Sequence, residues 1–332
     1  MFGPGWARFI LAWMVVVEHV SRFQIGKVAV MAFFMLSGYW VTRVFIERYS
    51  DGVQGVLTFY LARFLRIWPL YAAVFLMVLL VAVFLPLHLP SDFWWAVPIF
   101  GVASHDLDII GVTWSLDIEL QFYLLLPLIV FFMRGFPQST TKGLLLVILG
   151  LLWAVGIFLG WRFGVETALV YLPLFLAGAA VYLYDITPSG TAARLSLGFF
   201  ILAGFVVAAI PVLRPFVIYG HETHFPDLLF SMAWGLLLVP FIAVNVRQHS
   251  SLTDRHLGNM SYVIYLVHFP IIKIAGEILG RDMTDAEKIP FFVVVLLVSW
   301  LIYILLDVHF ERWRKVIVNA LPHARAVTKS RR

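Results

Sequence analysis

An all-α, polytopic membrane fold of about ten transmembrane helices, with both termini cytoplasmic, is what this sequence predicts, on three observations. Of its 332 residues, 62% are hydrophobic and only 13% charged, whereas a soluble domain is roughly half apolar and about a quarter charged. The apolar residues gather into runs long enough to cross a bilayer. The lysines and arginines fall mostly on alternate sides of those runs.

A spanning helix needs about 20 mostly apolar residues, and such runs occupy 8–24, 28–46, 67–86, 113–133, 143–160, 166–184, 195–213, 227–246, 258–279 and 289–309. Unpaired backbone groups are costly in hydrocarbon, so these runs read as helices rather than strands. No small-residue cleavage site follows the first run, which therefore stays in place as a helix. With the N-terminus inside, 17 of the 24 lysines and arginines are cytoplasmic, leaving Arg22, Lys27, Arg162, Arg214, Lys273, Arg281 and Lys288 outside. That bias follows the positive-inside rule, and an even helix count returns the C-terminus to the same side. The outer loops carry a mild acidic excess, including Asp92, Asp106, Asp108 and Asp282. Residues 1–315 read as one transmembrane domain, and 316–332 as a basic cytoplasmic tail held against anionic lipid. There is no cysteine, which excludes disulfides, thiolate metal sites and cysteine nucleophiles.

Ionisable residues inside apolar runs cost several kcal/mol and mark function or pairing. The first run holds Arg8, Glu18 and His19. Eleven residues are close to three helical turns, so Arg8 and His19 share a face about 16 Å apart along the axis. Arg8 is then a cation at the cytoplasmic rim or a plain interfacial anchor; His19 is a deep base or a satisfied core histidine. Glu18 points about 100° away from His19. The fourth run opens Trp114-Ser115-Leu116-Asp117-Ile118-Glu119-Leu120-Gln121-Phe122-Tyr123. Asp117 and Glu119 diverge by about 200° and cannot face one cavity, whereas Glu119 and Tyr123 share a face. The ninth run places Ser261, Tyr265 and His268 on one polar stripe, a pattern that also simply joins helices. In the second run, Ser37-Gly38 permits close helix approach. Between the second and third runs, the stretch from Phe59 to Pro69 reads as cytoplasmic, with Arg63 and Arg66 on one face at the membrane surface. Paired guanidiniums there suit phosphates, or serve only as positive-inside anchors.

Taken in order, these segments resemble the acyltransferase-3 family of bacterial membrane O-acyltransferases. The likeness rests on the Arg8-to-His19 spacing, Phe33-Phe34-Met35-Leu36-Ser37-Gly38, Arg63-x-x-Arg66-Ile67-x-Pro69 and Trp114-Ser115-Leu116-x-x-Glu119-x-x-Phe122-Tyr123. Leu172-Pro173-x-Phe175-x-x-Gly178 and Ser261-Tyr262-x-x-Tyr265-Leu266-x-His268-x-Pro270 follow. Two departures stand out: Gly5-Trp6-Ala7 replaces the Asp-Gly that often precedes the first arginine, and Gly38-Tyr39 replaces Gly-Phe. The resemblance implies a ten-helix domain in the bacterial inner membrane, a stand-alone member without a periplasmic hydrolase-like domain. It further implies a short acyl group, acetyl or succinyl, moved from acyl-coenzyme A to a glycan or lipid-linked oligosaccharide hydroxyl. The family's essential base maps to His19, and its arginines to Arg8, Arg63 and Arg66 on the donor side. Glu119 or Asp117 would orient His19. Ser37, Trp114, Tyr123, Ser261, Tyr265 and His268 are candidates for contacting the oxyanion or the sugar. No permanent cofactor, metal or nucleic acid is expected, membrane lipid is, and a homo-oligomer is left open. A transporter or flippase of a lipid-linked glycan is the rival reading, with a non-catalytic assembly subunit as a second.

Overall fold

The computed structural model describes residues 2–135, 139–218 and 224–321. The described residues form helices: α1 (Pro4–Val20), α2 (Gly26–Arg48), α3 (Gly52–Ala82), α4 (Trp114–Gly135), α5 (Ser139–Phe163) and α6 (Leu172–Leu183). After them come α7 (Gly190–Ala209), α8 (His224–Leu236), α9 (Val239–Asn245), α10 (Leu252–Leu279), α11 (Asp285–Ile302) and α12 (Val308–Ala320). A π-helical turn, Tyr303–Asp307, joins the last two.

Seven of these helices are long and apolar enough to cross a membrane, or eight if the pair α8–α9, bent by 48°, counts as one span. Each of the ten expected runs falls on helix, but α1 has 17 residues and α6 only 12, both short for a full crossing. The molecule's outside is apolar: Leu151 and Phe158 on α5, Phe199 and Phe205 on α7, and Leu297 and Trp300 on α11 are all exposed. Surfaces of that kind are stable only against lipid. This is a multi-pass membrane protein.

Three boundaries differ from the expectation. Residues 59–69 belong to one continuous helix with the third run: α3 begins at Gly52 and carries Pro69 within it. Arg63 and Arg66, on that helix, turn inward, where tertiary partners and a cavity receive them. Residues 166–171 are irregular, and α6 starts only at Leu172 with Pro173 in its first turn, where a proline's missing N–H costs nothing. The tail expected from residue 316 begins inside α12, which runs to Ala320; 322–332 lie outside the described residues.

The centre of the fold is α1 packed along α10 and α2, with α6 laid on the far side of α2. Helices α1 and α2 lack a side-chain cap of their own, and neighbours supply one. The Asp254 carboxylate of α10 accepts from the N–H groups of Gly5 (3.0 Å) and Trp6 (2.9 Å). Glu18 of α1 accepts from Gly26 (2.5 Å) and Lys27 (3.1 Å) at the start of α2. Both place negative charge on the positive end of a helix dipole and satisfy orphan donors.

Small residues set the α2–α6 distance, as Ser37-Gly38 suggests. A Cβ on Gly38 would sit 2.1 Å from the Phe175 carbonyl oxygen, and one on Gly178 would sit 1.8 Å from that of Met35. Backbone on both sides cannot give way cheaply. Gly178→Ala is therefore expected to destabilise the fold by about 1–3 kcal/mol through overpacking. A fall in thermal midpoint, followed by size-exclusion of the detergent-solubilised protein, checks this; an unchanged midpoint would show that the two helices can part freely.

Candidate active site

A cavity of about 410 Å³ opens between α1, α2, α3, α4 and α10. Helical spacing decides what faces it: Arg63 and Arg66 stand three apart on α3, Glu119 and Tyr123 four apart on α4, Ser261 and Tyr265 four apart on α10. All six line the cavity, with Arg8 from α1 and Ser37 from α2, between apolar walls that include Phe33, Trp40 and Ile67. Eight of the twelve candidate residues thus converge on one space, drawn from five helices.

The three arginines are not equivalent. Arg66 is spent on a structural network: its guanidinium lies 3.3 Å from Asp307 and 3.9 Å from Glu311, and faces the Tyr262 ring at 5.8 Å. Glu311 is held in turn by Arg314 at 2.6 Å. The π-helical turn brings Asp307 onto α3, and its first residue, Tyr303, is tied to His256 Nδ1 at 2.6 Å. Arg63 makes no ion pair among the described residues, and its Nε is buried with no hydrogen-bond partner. Arg8 is likewise without an ion pair, its Nε reaching only the Pro4 carbonyl oxygen at 3.4 Å. A buried charged donor left unsatisfied is costly, so the pair Arg8 and Arg63 is an arrangement that an anion would complete.

One carboxylate shares the cavity. Glu119 Oε1 accepts from Tyr123 Oη at 2.5 Å and from Ser37 Oγ, so two hydroxyl donors hold it in place. Asp117 faces the other way, as its 200° offset demands. It is fully buried and accepts from the Ala103 N–H at 3.0 Å and from Gln121 at 2.9 Å. Gln121 in turn accepts from the Ala168 N–H at 2.9 Å. Asp117 therefore pins two loops, and neither it nor Glu119 is hydrogen-bonded to His19. The expected orienting carboxylate is not there. Trp114 also stands off the cavity, in a ring cluster with Tyr171 (5.9 Å) and Phe34 (6.3 Å).

His19 occupies the last turn of α1. Its Nδ1 is 2.9 Å from the Val15 carbonyl oxygen and 3.4 Å from His268 Nε2; its ring meets the edge of Phe269 at 5.0 Å. The cavity does not reach His19. It extends to Tyr265, whose hydroxyl is 2.7 Å from Ser115 Oγ and donates to the Val112 carbonyl oxygen at 3.2 Å. The Tyr265 ring lies 6.0 Å from that of His268, so one aromatic layer separates the arginine-lined space from the histidine pair.

Residues 3–306 match the model of the acyltransferase domain family, acyltransferase 3. The chain belongs to that family. Every cavity-lining residue falls within the part that matches the acyltransferase model, while Glu311 lies just past its end. The chain is 26% identical over 298 residues to the peptidoglycan O-acetyltransferase OatA of Listeria monocytogenes, covering 76% of this chain and 46% of that protein. It is also 26% identical over 287 residues to the O-acetyltransferase OatA of Staphylococcus aureus, covering 74% and 46%. It thus spans about half the length of the curated relatives it matches. No solved structure matches it.

Residues important to the acyltransferase site escape a linear reading. Asp254 sits at the start of a helix, where an acid looks like a local cap, yet it caps α1 instead. Where the family often has an acid before Arg8, this chain has Gly5-Trp6-Ala7, and the carboxylate arrives from α10. Gly5 leaves room for it: a Cβ there would be 1.7 Å from the Asp254 carbonyl oxygen. Asp307 carried a visible signal, an acid inside the apolar run 289–309, but its partner Arg66 is 241 residues away.

Proposed function

We propose that this chain is a membrane O-acyltransferase of the bacterial inner membrane, moving an acetyl or other short acyl group from acyl-coenzyme A to a glycan or lipid-linked glycan hydroxyl. It has ten spans, with α1, α6 and the bent α8–α9 pair included, both termini cytoplasmic, and a basic tail from residue 316. The observation that carries the reading is the pair of unpaired arginines, Arg8 and Arg63, in the cavity of a chain from an acyltransferase family. The phosphates of coenzyme A supply the anions those two guanidiniums lack. Its pantetheine arm would pass the Phe33–Tyr265 layer, whose rings are 6.4 Å apart, so that the thioester meets His19.

A carbonyl oxygen only accepts, so the Val15 contact keeps the proton of neutral His19 on Nδ1 and leaves the lone pair on Nε2. The imidazole lone pair suits the removal of a hydroxyl proton as that oxygen attacks the thioester carbonyl. Names such as peptidoglycan O-acetyltransferase support a glycan acceptor for this chain by analogy.

Purified protein incubated with acetyl-coenzyme A and a glycan acceptor is expected to release free thiol and acylate the acceptor. A transporter or flippase would bind glycan and leave the thioester intact. Absence of thiol release with acetyl- and succinyl-coenzyme A alike, from folded protein, would refute the enzyme reading.

A further inference from the structure

His268 is buried completely, and the proposed reaction so far gives it no task. Its Nδ1 is 3.0 Å from the Ile264 carbonyl oxygen. A carbonyl accepts and never donates, so neutral His268 carries its proton on Nδ1, and its Nε2 presents a bare lone pair. That lone pair lies 3.4 Å from His19 Nδ1, whose single proton is shared between the Val15 carbonyl oxygen at 2.9 Å and, as the longer branch, His268 Nε2. The two rings therefore read in one direction, from the His19 Nδ1 proton to the His268 Nε2 lone pair.

Other charged or polar groups near His19 are occupied elsewhere. Glu18 is committed to the N–H groups of Gly26 and Lys27. In the outer loop, Asp108 accepts from the N–H groups of Ile110 (2.9 Å), Gly111 (2.8 Å) and Thr113 (2.6 Å) and from the Thr113 hydroxyl (2.7 Å). Lys273 lies 5.3 Å from the Phe269 ring centroid and reaches the Ile109 carbonyl oxygen at 3.3 Å. Tyr265 is bonded to Ser115 and Val112. Among the described residues, the side chain that hydrogen-bonds His19 is His268.

Resting on the reading of His19 as base, we infer that His268 is the positioning residue of that base, in the place where a carboxylate stands in many catalytic pairs. It accepts the Nδ1–H of His19, fixes the ring plane together with Val15, and holds the Nε2 lone pair free for the acceptor hydroxyl. When the hydroxyl oxygen forms its bond to the thioester carbonyl carbon, its proton passes to His19 Nε2. The resulting imidazolium still donates from Nδ1 to His268, and the bond tightens as the charge develops. Collapse of the tetrahedral intermediate breaks the C–S bond, and the proton on Nε2 leaves with the coenzyme A thiolate.

The test combines kinetics and histidine spectroscopy on the full chain in nanodiscs. His268→Ala is expected to lower kcat on the order of 10²-fold, the lower end of what a general base contributes, with the KM for acyl-coenzyme A within about twofold. His268→Gln, whose amide oxygen can stand where Nε2 does, is expected to recover part of that loss. Nitrogen-15 spectra of histidine-labelled protein, assigned with His19→Ala and His268→Ala, are expected to show both rings protonated on Nδ1 and bare on Nε2. A His268 ring protonated on Nε2 would overturn the inference. So would a His268→Ala protein with lowered thermal midpoint but unchanged kcat per folded molecule, because that marks a purely structural residue. If His19→Ala itself stays active, the base reading fails instead, and the two failures are told apart.

Discussion

Replacing His19 with alanine is expected to reduce acyl transfer about 10²–10⁴-fold while the protein inserts, folds and binds coenzyme A as before. That is the range that general-base removal alone accounts for. The structural cost is small because His19 sits in the last turn of α1, half-buried, with one backbone and one side-chain hydrogen bond beside its ring contact with Phe269. Thiol release from acetyl-coenzyme A in the presence of acceptor measures the effect, with size-exclusion and a thermal midpoint as the control. Near-normal turnover by this variant would move the base into the cavity itself, with Glu119 the first residue to examine. The outcome also tests how the acyl arm travels, since the cavity stops at Tyr265. If the arm must displace that layer, His19→Ala keeps donor affinity, because Arg8 and Arg63, proposed to take the phosphates, lie on the cavity side of it.

The second large effect separates two arginines that look interchangeable in the sequence. Arg63→Ala is expected to raise the dissociation constant for coenzyme A about 10–100-fold, the worth of a charge-assisted hydrogen bond of about 1.5–3 kcal/mol, with little loss of thermal stability. Arg66→Ala is expected to behave differently. It strands Asp307, which is 3% exposed, and breaking a buried pair from one side costs on the order of 3 kcal/mol. The thermal midpoint should fall first, with donor affinity following only as α12 loosens from α3. The double variant Arg66→Met with Asp307→Leu is expected to regain the stability, since it removes both charges together. Isothermal titration with coenzyme A and a melting curve on each variant decide the matter. Equal losses of affinity for Arg63→Ala and Arg66→Ala at unchanged stability would mean that Arg66 leaves Asp307 for the ligand.

The contrast between these arginines shows where a linear reading reaches and where it stops. Arg8 and His19 announce themselves because a charge in an apolar run needs a reason, and three turns of helix put them on one face. Glu119 separates from Asp117 on the same grounds, and the cavity holds the first and not the second. Helix geometry is local, so it survives without a fold. Arg63 and Arg66 fail that test: two cations between apolar runs read as a membrane edge, and only Asp307 and Glu311, far along the chain, reveal that one is already neutralised. The histidine pair is of the same kind. Both residues belong to recognisable segments, yet their contact depends on α1 lying along α10, which joins residues 249 apart in the chain. Span count is the other weak point, because α6 and the break between α8 and α9 depart from an uninterrupted helix in ways that hydropathy alone does not record.

The borrowed carboxylate at the start of α1 has a consequence for how the molecule is made. Asp254 lies 248 residues beyond Trp6, whose N–H it accepts. At about 5–20 residues per second of synthesis, the first helix waits roughly 10–50 s in the bilayer before its docking partner exists. During that interval its leading amides and Arg8 have only water, lipid headgroups or the insertion machinery to lean on. A helix made early is thus locked only when α10 arrives, and assembly of the cavity around Arg8 becomes a late step of biogenesis rather than an early one.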